Sequence, residues 1–523
     1  MHRIARGFVC LLLSFPSLLL AADCTSLKNL PLPAASITLA ETAGPGTPEI
    51  PEAGTPLHDL PVFCRVAGDL HPTADSQIRF EVWLPQQNWN GRILGTGNGG
   101  FAGSIGYRQM AGYLMRGFAV SGTDAGHQAE AGDASWAWQH PEKVKDFGWR
   151  AIHLTALTAQ QIVAAYYSKP AHHAYFDACS DGGREALMEA QRFPGDYDGI
   201  LAGAPANAWS SLIASGGIVM QALLDDPNAY IPDRKLAAIQ RAALAACDQL
   251  DGVKDGVIGD PRQCHFDPQV LLCQGADASS CLTQPQINAL KTLYAGSRDA
   301  QGHLIFPGYS MGDETGWKDW IIGDAPGASW GSGYVQGYFR YIASGDPTFN
   351  VLTAKPDDLL EESKAKGAPD LDATNPDLSA FAARGGKLIL YHGWTDAAIP
   401  AENSIAYFES VEKQMGAGRV DTFARLYMVP GMEHCIGGPG ASSFGQFGVP
   451  TAKGPKFGLF DSLEDWVEKG SPDDGVIATK FGAGKAGAAE TLFTRPLCAW
   501  PKVARYTGSG DPNDAASFAC VAP

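Results

Sequence analysis

The sequence has 523 residues, so it is too long for one simple hydrophobic core. It predicts two domains, or one large domain with a substantial insertion. Hydrophobic residues make up 45% and charged residues 18%, as in an ordinary globular protein. The net charge of −17 argues against nucleic acid or an anionic membrane surface as a partner.

Residues 1–22 have the three regions of a secretory signal peptide. A basic start precedes a mainly apolar run from Phe8 to Leu20, and two alanines follow. This run is too short to span a bilayer, so we expect a secreted or periplasmic protein with no membrane contact after cleavage. Cleavage removes two arginines and no acidic residue, which makes the net charge −19.

The cysteine count indicates disulfide bonds. Of the 11 cysteines, Cys10 lies in the predicted signal peptide, and an even number remains for an oxidising compartment. Five bridges are therefore expected. The count does not determine the pairing, although short spacings favour Cys273 with Cys281 and Cys498 with Cys520.

The first part of the mature chain changes character at Ile78. Residues 23–77 are rich in Pro and Gly and predict an irregular N-terminal segment, which Cys24 and Cys64 bracket. Alternating apolar and polar residues then predict a strand over Ile78–Leu84. Regular strand patterns are therefore predicted from residue 78 onward.

A second strand, predicted over Gly91–Gly95, leads into the glycine-rich stretch Thr96–Gly103. An α/β-hydrolase supplies one backbone N–H of its oxyanion hole from a loop at this place, upstream of the nucleophile. We assign this N–H to Gly100. A flexible turn without a catalytic role is the alternative.

The nucleophile candidate lies on a strand, a sharp turn and a helix. The apolar run Ala174–Ala178 enters Cys-Ser-Asp-Gly-Gly, and a helix-forming run follows at once. This pattern places Ser180 on a nucleophile elbow, where the next N–H, that of Asp181, faces developing negative charge. Alanine replaces the first glycine of the usual G-x-S-x-G pattern, and a glycine-rich turn of another α/β protein is the alternative.

Strands and helices alternate around this elbow. A strand over Gly117–Ser121 and a helix over Phe147–Tyr167 precede it, and a short strand over Asp198–Ala202 follows it. This alternation predicts a parallel sheet. From residue 209 to residue 375 helical stretches, aromatic residues and cysteines replace the alternation, which predicts an inserted lid domain.

The predicted lid contains an acidic loop between Cys247 and Cys264. Three aspartates at spacings of three and four, with glycines between them, are able to converge on one hard cation while carbonyl oxygens complete the shell. The candidate calcium ligands are Asp248, Asp251, Val253, Asp255 and Val257. An acidic surface turn is the alternative, and spacing alone slightly favours it because this is not the EF-hand pattern.

Two strands after the lid end in further catalytic candidates. The apolar strand from Gly386 ends in Gly-Trp-Thr-Asp, which puts Asp396 at the carboxyl edge of the sheet, and the strand Thr422–Val429 leads to His434. The order Ser, Asp, His is that of an α/β-hydrolase. Together the three residues predict a catalytic triad, although each alone is ambiguous.

Two cysteines flank this predicted triad. Cys179 directly precedes Ser180, and Cys435 directly follows His434. A bond between the two cysteines would hold their Cα atoms within about 7 Å and keep nucleophile and base within reach of each other.

With Ala-Cys-Ser-Asp-Gly-Gly, Gly-Trp-Thr-Asp and Gly-Met-Glu-His-Cys in this order, the chain resembles the tannase and feruloyl esterase family over nearly its whole mature length. The resemblance implies an α/β-hydrolase core (23–208 and 376–523), a lid (209–375) with structural Ca²⁺, and no organic cofactor. It assigns catalysis to Ser180, Asp396 and His434. It also implies five bridges, Cys24–Cys64, Cys179–Cys435, Cys247–Cys264, Cys273–Cys281 and Cys498–Cys520.

Members of this family cleave small esters of aromatic acids, so the resemblance implies a secreted serine carboxylesterase. Feruloyl esters are the first expectation, on the breadth of the family; gallate esters and, as in MHETase, a terephthalate monoester are the alternatives. Candidate pocket residues are Phe101, Trp330, Tyr334, Phe339, Arg340 and Trp394, each with ordinary packing as its alternative. A serine peptidase and an inactive binding protein are the rival classes. The sequence does not indicate the oligomeric state.

Overall fold

The structure is a computed structural model that describes residues 23–448, 451, 454, 458–472, 475–482 and 489–523. The predicted signal peptide lies outside the described residues. Within the described part of the chain, no helix is long and apolar enough to cross a membrane.

Nine of the fifteen strands in the described residues form one central sheet. The strands are β1 Ala35–Ala43, β2 Phe63–Leu70, β3 Ile78–Pro85, β4 Arg92–Thr96, β5 Ala119–Thr123, β6 His173–Cys179, β7 Gly199–Gly203, β8 Ser297–Arg298, β9 Leu304–Phe306, β10 Lys387–Gly393, β11 Ala424–Val429, β12 Ile477–Phe481, β13 Thr491–Pro496, β14 Val503–Tyr506 and β15 Phe518–Val521. The order across the central sheet is β1-β2-β3-β5-β4-β6-β7-β10-β11. The other strands pair two by two.

The central sheet is mainly parallel, as the alternation of strands and helices predicts. Strands β5, β4, β6, β7, β10 and β11 run parallel to one another, whereas β1, β2 and β3 join them through antiparallel pairs. The carboxyl ends of the parallel strands therefore share one edge, which is where α/β sheets bind ligands. Cys179 at the end of β6 pairs with Gly203 at the end of β7.

The prediction of an irregular segment over residues 23–77 is wrong. Strands β1 and β2 pair with each other along their length, and β2 pairs with β3, so the sheet extends into this segment. Strand β1 lies at the sheet edge and has one buried residue among nine, so its sequence lacks a clear apolar alternation. Strand β2 is almost wholly buried and holds Arg65, whose charge pairs with Glu81 on β3 at 2.6 Å.

Helices cover both faces of the sheet. They are α1 Tyr107–Met115, α2 Pro141–Lys145, α3 Ala151–Tyr167, α4 Asp181–Arg192, α5 Trp209–Leu224, α6 Leu236–Cys247, α7 Gln284–Ala295, α8 Trp330–Tyr338, α9 Pro356–Lys366, α10 Ala368–Leu371, α11 Ser379–Ala383, α12 Glu402–Met415, α13 Ala417–Val420 and α14 Leu459–Lys469. One face packs against α3, α4 and α12, and the other against α1 and α14. Neighbouring strand residues point to opposite faces, so Phe176 belongs to the first core and Tyr175 to the second.

The segment 209–375, predicted to be a lid, is mainly helical. It contains α5 to α10 and the short hairpin of β8 and β9. A separate hydrophobic cluster forms within it, around buried residues such as Ile231, Leu290 and Trp317. Helix α5 also packs on the core, since Trp209 and Ile213 belong to the cluster beneath the central sheet.

The five predicted disulfide bonds are all present. They are Cys24–Cys64, Cys179–Cys435, Cys247–Cys264, Cys273–Cys281 and Cys498–Cys520. Short-range pairing alone would have suggested two of them. The bridge between Cys179 and Cys435 spans 256 residues of sequence and joins the end of β6 to the loop after β11.

Candidate active site

Ser180 lies on a sharp turn between β6 and α4. Its backbone has φ 69° and ψ −124°, a strained conformation for a residue with a side chain, and such strain is typical of a nucleophile elbow. The turn also needs glycine at position 182, because a Cβ there would lie 2.6 Å from Ala178 Cβ and 2.8 Å from the Asn98 carbonyl oxygen. The sequence motif and the backbone geometry therefore agree at this turn.

The three predicted triad residues come together above the carboxyl edge of the sheet. Ser180 Oγ lies 2.8 Å from His434 Nε2, and His434 Nδ1 lies 2.7 Å from Asp396 Oδ2. Asp396 follows β10 and His434 follows β11, so each comes from the end of a parallel strand. This chain of hydrogen bonds is the arrangement of a serine hydrolase triad.

Asp396 is fully buried and strongly hydrogen bonded. The backbone N–H groups of Ala398 and Ile399 both donate to its Oδ1 at 2.8 Å. Burial opposes ionisation, but the charge of His434 and hydrogen bonds from His392 and His434 outweigh it and hold the pKa of Asp396 well below its ordinary value. Asp396 is therefore an anion at neutral pH.

His392 is a second histidine on Asp396, and the sequence analysis missed it. Its Nε2 lies 3.2 Å from Asp396 Oδ2 and 3.0 Å from the Ile399 carbonyl oxygen, while its Nδ1 lies 2.7 Å from Ser404 Oγ. Because both neighbours of Nε2 are acceptors, Nε2 carries a proton and donates. The only sequence signal was a histidine inside the strand that ends at Asp396.

The two predicted oxyanion donors lie on either side of Ser180. Asp181 is the first residue of α4, and Gly100, with φ 60°, lies in the loop after β4. Both residues line the cavity at Ser180. Among the described residues, no side chain accepts a hydrogen bond from either N–H, and no backbone carbonyl in a turn or loop does so. Both N–H groups are therefore available to a bound oxygen.

The bridge between Cys179 and Cys435 lies directly against the triad. It joins the residue before Ser180 to the residue after His434, with 6.0 Å between the two Cα atoms. The sequence analysis proposed this bond on the positions of the cysteines and on the family resemblance.

Two cavities meet at Ser180, and we call them the inner pocket and the outer cleft. The inner pocket is lined mainly by apolar side chains, including Trp209, Leu212, Ile213, Val219, Met220, Leu223, Ile321, Val335 and Ile399. The outer cleft contains more polar groups, including Asn98, Ser104, Gln109, Glu130 and His434. Both share Gly100, Ser180, Trp320, Ser329 and Tyr334, so an ester bound at Ser180 has one space for each of its halves.

Three of the predicted pocket residues lie at or beside these cavities. Tyr334 lines both cavities, and Trp330, four residues earlier on α8, lines the outer cleft and is 56% exposed. Phe101 is fully buried behind Tyr334, with 5.2 Å between the ring centroids. It supports the wall of the pocket and does not form it.

The other three predicted pocket residues do not reach Ser180. Phe339 is buried and stacks on Phe349, while Arg340 donates from Nε to the Phe349 carbonyl oxygen and lines a neighbouring cavity. Trp394 is 2% exposed and packs beneath the guanidinium group of Arg262. Phe339 and Arg340 lie five and six residues after Tyr334, in the π-helical turn that follows α8. They therefore do not share the helix face that carries Trp330 and Tyr334.

Trp320 is in ring contact with His434 of the triad, and the sequence analysis did not identify it. It lies in the π-helical turn Lys318–Ile322, lines both cavities and stacks on Tyr334. Its ring contacts the His434 ring edge-on. An aromatic residue among many in a helical segment carried no distinguishing signal.

The acidic loop has oxygen donors of the type that Ca²⁺ binds, and Cys247–Cys264 ties its two ends together. Asp248 accepts from the N–H groups of Asp255 and Gly256, and Asp255 pairs with Arg495 at 2.6 Å. Burial, and then the charges of Asp255 and Asp248, raise the pKa of Asp251 to about 6. The three carboxylates do not all approach within 4.8 Å of one another. The donor set fits Ca²⁺ in chemistry, since a divalent cation would offset the repulsion between these carboxylates.

A family model described as tannase and feruloyl esterase matches residues 64–521. The chain belongs to the tannase and feruloyl esterase family. An uncharacterized esterase of Xanthomonas campestris pv. campestris is 39% identical over 96% of this chain and 91% of its own length. A probable feruloyl esterase B-1 of Aspergillus oryzae is 31% identical over 89% of this chain and 85% of its own length.

Solved structures of the tannase and feruloyl esterase family agree with this assignment. The crystal structure of feruloyl esterase B from Aspergillus oryzae aligns with a TM-score of 0.89 at 29% identity and covers 96% of this chain and 100% of that one. The fold is therefore that of an α/β-hydrolase, as the sequence analysis expected. As a member of this esterase family, the protein is a carboxylic ester hydrolase.

Proposed function

We propose that the protein is a serine esterase that cleaves feruloyl-type esters through an acyl-enzyme on Ser180. The observation that carries this proposal is the hydrogen-bonded chain from Ser180 Oγ through His434 to Asp396, placed where an apolar pocket meets an open cleft. The names of the fungal relatives point to the same substrate class.

In this mechanism His434 acts as the general base. Its Nε2 takes the proton of Ser180 as the serine oxygen attacks the ester carbonyl carbon. The anionic Asp396 accepts from Nδ1–H, fixes the tautomer of His434 and stabilises the imidazolium ion. His434 then gives the proton to the leaving alcohol.

Two backbone donors stabilise the negative charge that develops on the carbonyl oxygen. The N–H groups of Asp181 and Gly100 hold it in the tetrahedral intermediate, with the N-terminal end of α4 adding a favourable dipole. Water activated by His434 then attacks the acyl-enzyme, and the acid leaves. Removal of one such donor typically costs about 10² to 10³ in kcat.

The linings of the two cavities favour a neutral aromatic acyl group. Among the described residues that line the inner pocket and the outer cleft there is no Lys or Arg. The free carboxylate of a terephthalate monoester would lack a counter-ion there. Aliphatic side chains in the inner pocket suit a methoxylated cinnamoyl ring better than the three hydroxyl groups of a gallate.

The structural role proposed for calcium is separate from this chemistry. Asp248, Asp251 and Asp255, with the carbonyl oxygens of Val253 and Val257, would hold Ca²⁺, which supplies positive charge that stabilises the acidic loop. We also propose that the protein acts outside the cytoplasm, because its five disulfide bonds persist in an oxidising compartment.

A serine-directed fluorophosphonate and a small ester panel test this function. Wild type should be labelled and Ser180→Ala should not. Methyl ferulate should be turned over with a higher kcat/KM than methyl gallate or mono(2-hydroxyethyl) terephthalate, and a peptide substrate should not be cleaved. Absence of labelling and of ester turnover would overturn the serine-esterase mechanism, whereas preference for another ester would overturn only the substrate assignment.

A further inference from the structure

We propose that Glu185 is a positioning residue that holds the loop from Gly97 to Gly103, here called the oxyanion loop, at the distance the oxyanion hole requires. The inference rests on the serine-esterase function proposed above. It adds a residue that lies outside the triad and touches neither of the two cavities at Ser180.

Glu185 attaches the oxyanion loop to the helix that follows the nucleophile. Its Oε2 accepts from the backbone N–H of Asn98 at 2.8 Å. The N–H of Gly182 donates to the carbonyl oxygen of the same Asn98 at 2.9 Å. Both backbone polar groups of one loop residue are thus bound to the first part of α4, and Gly100 lies two residues further along the loop.

The side chain of Asn98 completes this anchor. Its Nδ2 donates to the carbonyl oxygens of Ser104 and Thr123, each at 2.9 Å. Ser104 follows the oxyanion loop, and Thr123 ends β5. Asn98 therefore joins the loop to the sheet on one side and to α4 on the other, and Glu185 supplies the side-chain contact on the α4 side.

The contact between loop and helix leaves little room for movement toward the helix. A Cβ at Gly97 would lie 2.6 Å from Glu185 Oε2 and 2.7 Å from Ala178 Cβ, distances that side chains do not adopt. The backbone of the loop thus rests on the carboxyl group. Glu185, together with Ala178 and Gly182, therefore limits how closely the loop approaches α4.

The environment of Glu185 fits a positioning role better than a stabilising one. The residue is 1% exposed, and its Oε1 has no hydrogen-bond partner among the described residues. Burial, and then the charge of Asp181, raise the pKa of Glu185 to about 8. A buried carboxyl group with an unsatisfied oxygen lowers the stability of the fold, and its hydrogen bond goes to the loop that carries Gly100.

Loss of this anchor should affect the transition state and leave substrate binding nearly unchanged. Oxyanion donors act when they lie about 2.7–3.1 Å from the developing oxyanion, and a displacement of about 1 Å costs about a hundredfold in rate. The two ester halves occupy cavities that Glu185 does not line. A displaced oxyanion loop therefore lowers kcat and leaves KM nearly constant.

The test compares Glu185→Leu, Glu185→Gln and the matched control Glu189→Leu with wild type, using an aromatic methyl ester. Glu189 lies one turn further along α4, is also 1% exposed, and makes no hydrogen bond to the oxyanion loop. We expect kcat per folded molecule to fall at least about tenfold in Glu185→Leu with KM within about threefold. Glu185→Gln should retain kcat, because its amide oxygen accepts from Asn98, and Glu189→Leu should retain it as well.

Gly97→Ala approaches the same contact from the loop side and serves if Glu185→Leu does not fold. It should reproduce the loss of kcat, because the added Cβ pushes the loop away from Glu185 Oε2 and from the neighbouring Ala178 Cβ and Gly182 Cα. Full kcat in both variants, equal losses in Glu185→Leu and Glu189→Leu, or failure of Glu185→Gln to retain activity would each overturn the role of Glu185. An active wild type with inactive Ser180→Ala shows that the esterase function survives such a result. Absence of turnover and of fluorophosphonate labelling in wild type would overturn both proposals.

Discussion

The indole ring of Trp320 meets the imidazole ring of His434 edge-on, with 5.2 Å between the ring centroids and 72° between the planes. Trp320 comes from the helical segment 209–375 and His434 from the core, so this contact joins the two parts directly at the proposed base. The same indole stacks on Tyr334, at 6.0 Å and 18°. The helical segment thereby limits the orientations that the His434 ring adopts.

Replacement of Trp320 by alanine should lower kcat/KM by about tenfold. An edge-to-face aromatic pair contributes about 0.5–1.5 kcal/mol beyond its buried area. Its loss allows the His434 ring to rotate and allows water to enter the site. Trp320→Phe should recover most of the activity. Trp330→Ala is the control for kcat alone, since Trp330 lines the outer cleft and contacts Trp320 but has no ring contact with His434. Steady-state kinetics in which Trp320→Ala keeps full activity would contradict this prediction.

The bridge between Cys179 and Cys435 should act as a brace for catalysis as well as a source of stability. Closing a long loop contributes roughly 4–5 kcal/mol in an entropy model, which native strain usually reduces. Drift between Ser180 and His434 costs rate in addition. The variant Cys179→Ala/Cys435→Ala, assayed well below its Tm and normalised by active-site titration, should therefore lose kcat by at least about tenfold, with a smaller change in KM.

The variant Cys498→Ala/Cys520→Ala is the control for this brace. Its bridge joins β15 to the segment before β14 and flanks no residue of the triad, so its removal should lower Tm without changing kcat. Equal turnover per folded molecule in both double variants would mean that the bridge beside the triad is structural only.

Chelation of calcium should lower stability without changing the chemistry. A ligand bound only by the folded state stabilises it by about 2.7 kcal/mol at a free concentration one hundred times its Kd. EDTA should therefore lower Tm, Ca²⁺ should restore it, and Asp251→Ala should resemble the chelated wild type. Asp267→Asn, at an exposed aspartate just beyond the loop, should respond to EDTA as wild type does. Calcium-free purified protein with no shift in Tm would remove the proposed site.

The stability of the helical segment should fall as the pH rises from about 4.5 to about 7 because of Glu314. Burial raises the pKa of Glu314 from 4.5 to about 7. The folded state therefore binds more protons than the unfolded state between these values, and the stability present below pH 4.5 is lost as pH rises through about 7. The loss is at most about 3.4 kcal/mol.

Glu314→Gln should remove this dependence. The amide remains neutral and its oxygen still accepts from Tyr294 Oη, which lies 2.6 Å from Glu314 Oε1. The free energy of unfolding, measured with urea, should fall less in the variant than in wild type as the pH rises from 5 to 8. A difference that stays constant over this range would show that Glu314 is not neutral in the folded state.

The triad could be predicted because each of its members lies just beyond a recognisable element. An apolar run followed by Cys-Ser-Asp-Gly-Gly marks the end of β6, and similar runs end before Asp396 and His434. Parallel strands place their carboxyl ends on one edge, so local patterns were enough to bring distant residues together. The disulfide beside the triad followed from the same positions and from the family resemblance.

The pocket walls could not be predicted in the same way. Tyr334 faces Ser180, whereas Phe339 and Arg340, five and six residues later, do not. Which face of a helix in the segment 209–375 points to the site depends on how that helix packs against the core, and helical periodicity does not carry this information. His392 and Trp320 were missed for a related reason, since each acquires its role only through a partner distant in sequence or across a turn.

The sequence by itself determined the fold class, the order along the chain of the core strands from β3 to β11, the positions of the triad and the number of disulfide bonds. These features follow from periodicity, turn chemistry and residue type, which act over a few residues. The tertiary structure alone decided that β1 and β2 extend the sheet, that Trp320 lies against His434, and that Glu185 supports the oxyanion loop. Each of these depends on contacts between segments far apart in the chain, whose energies come from burial and packing and leave no local pattern.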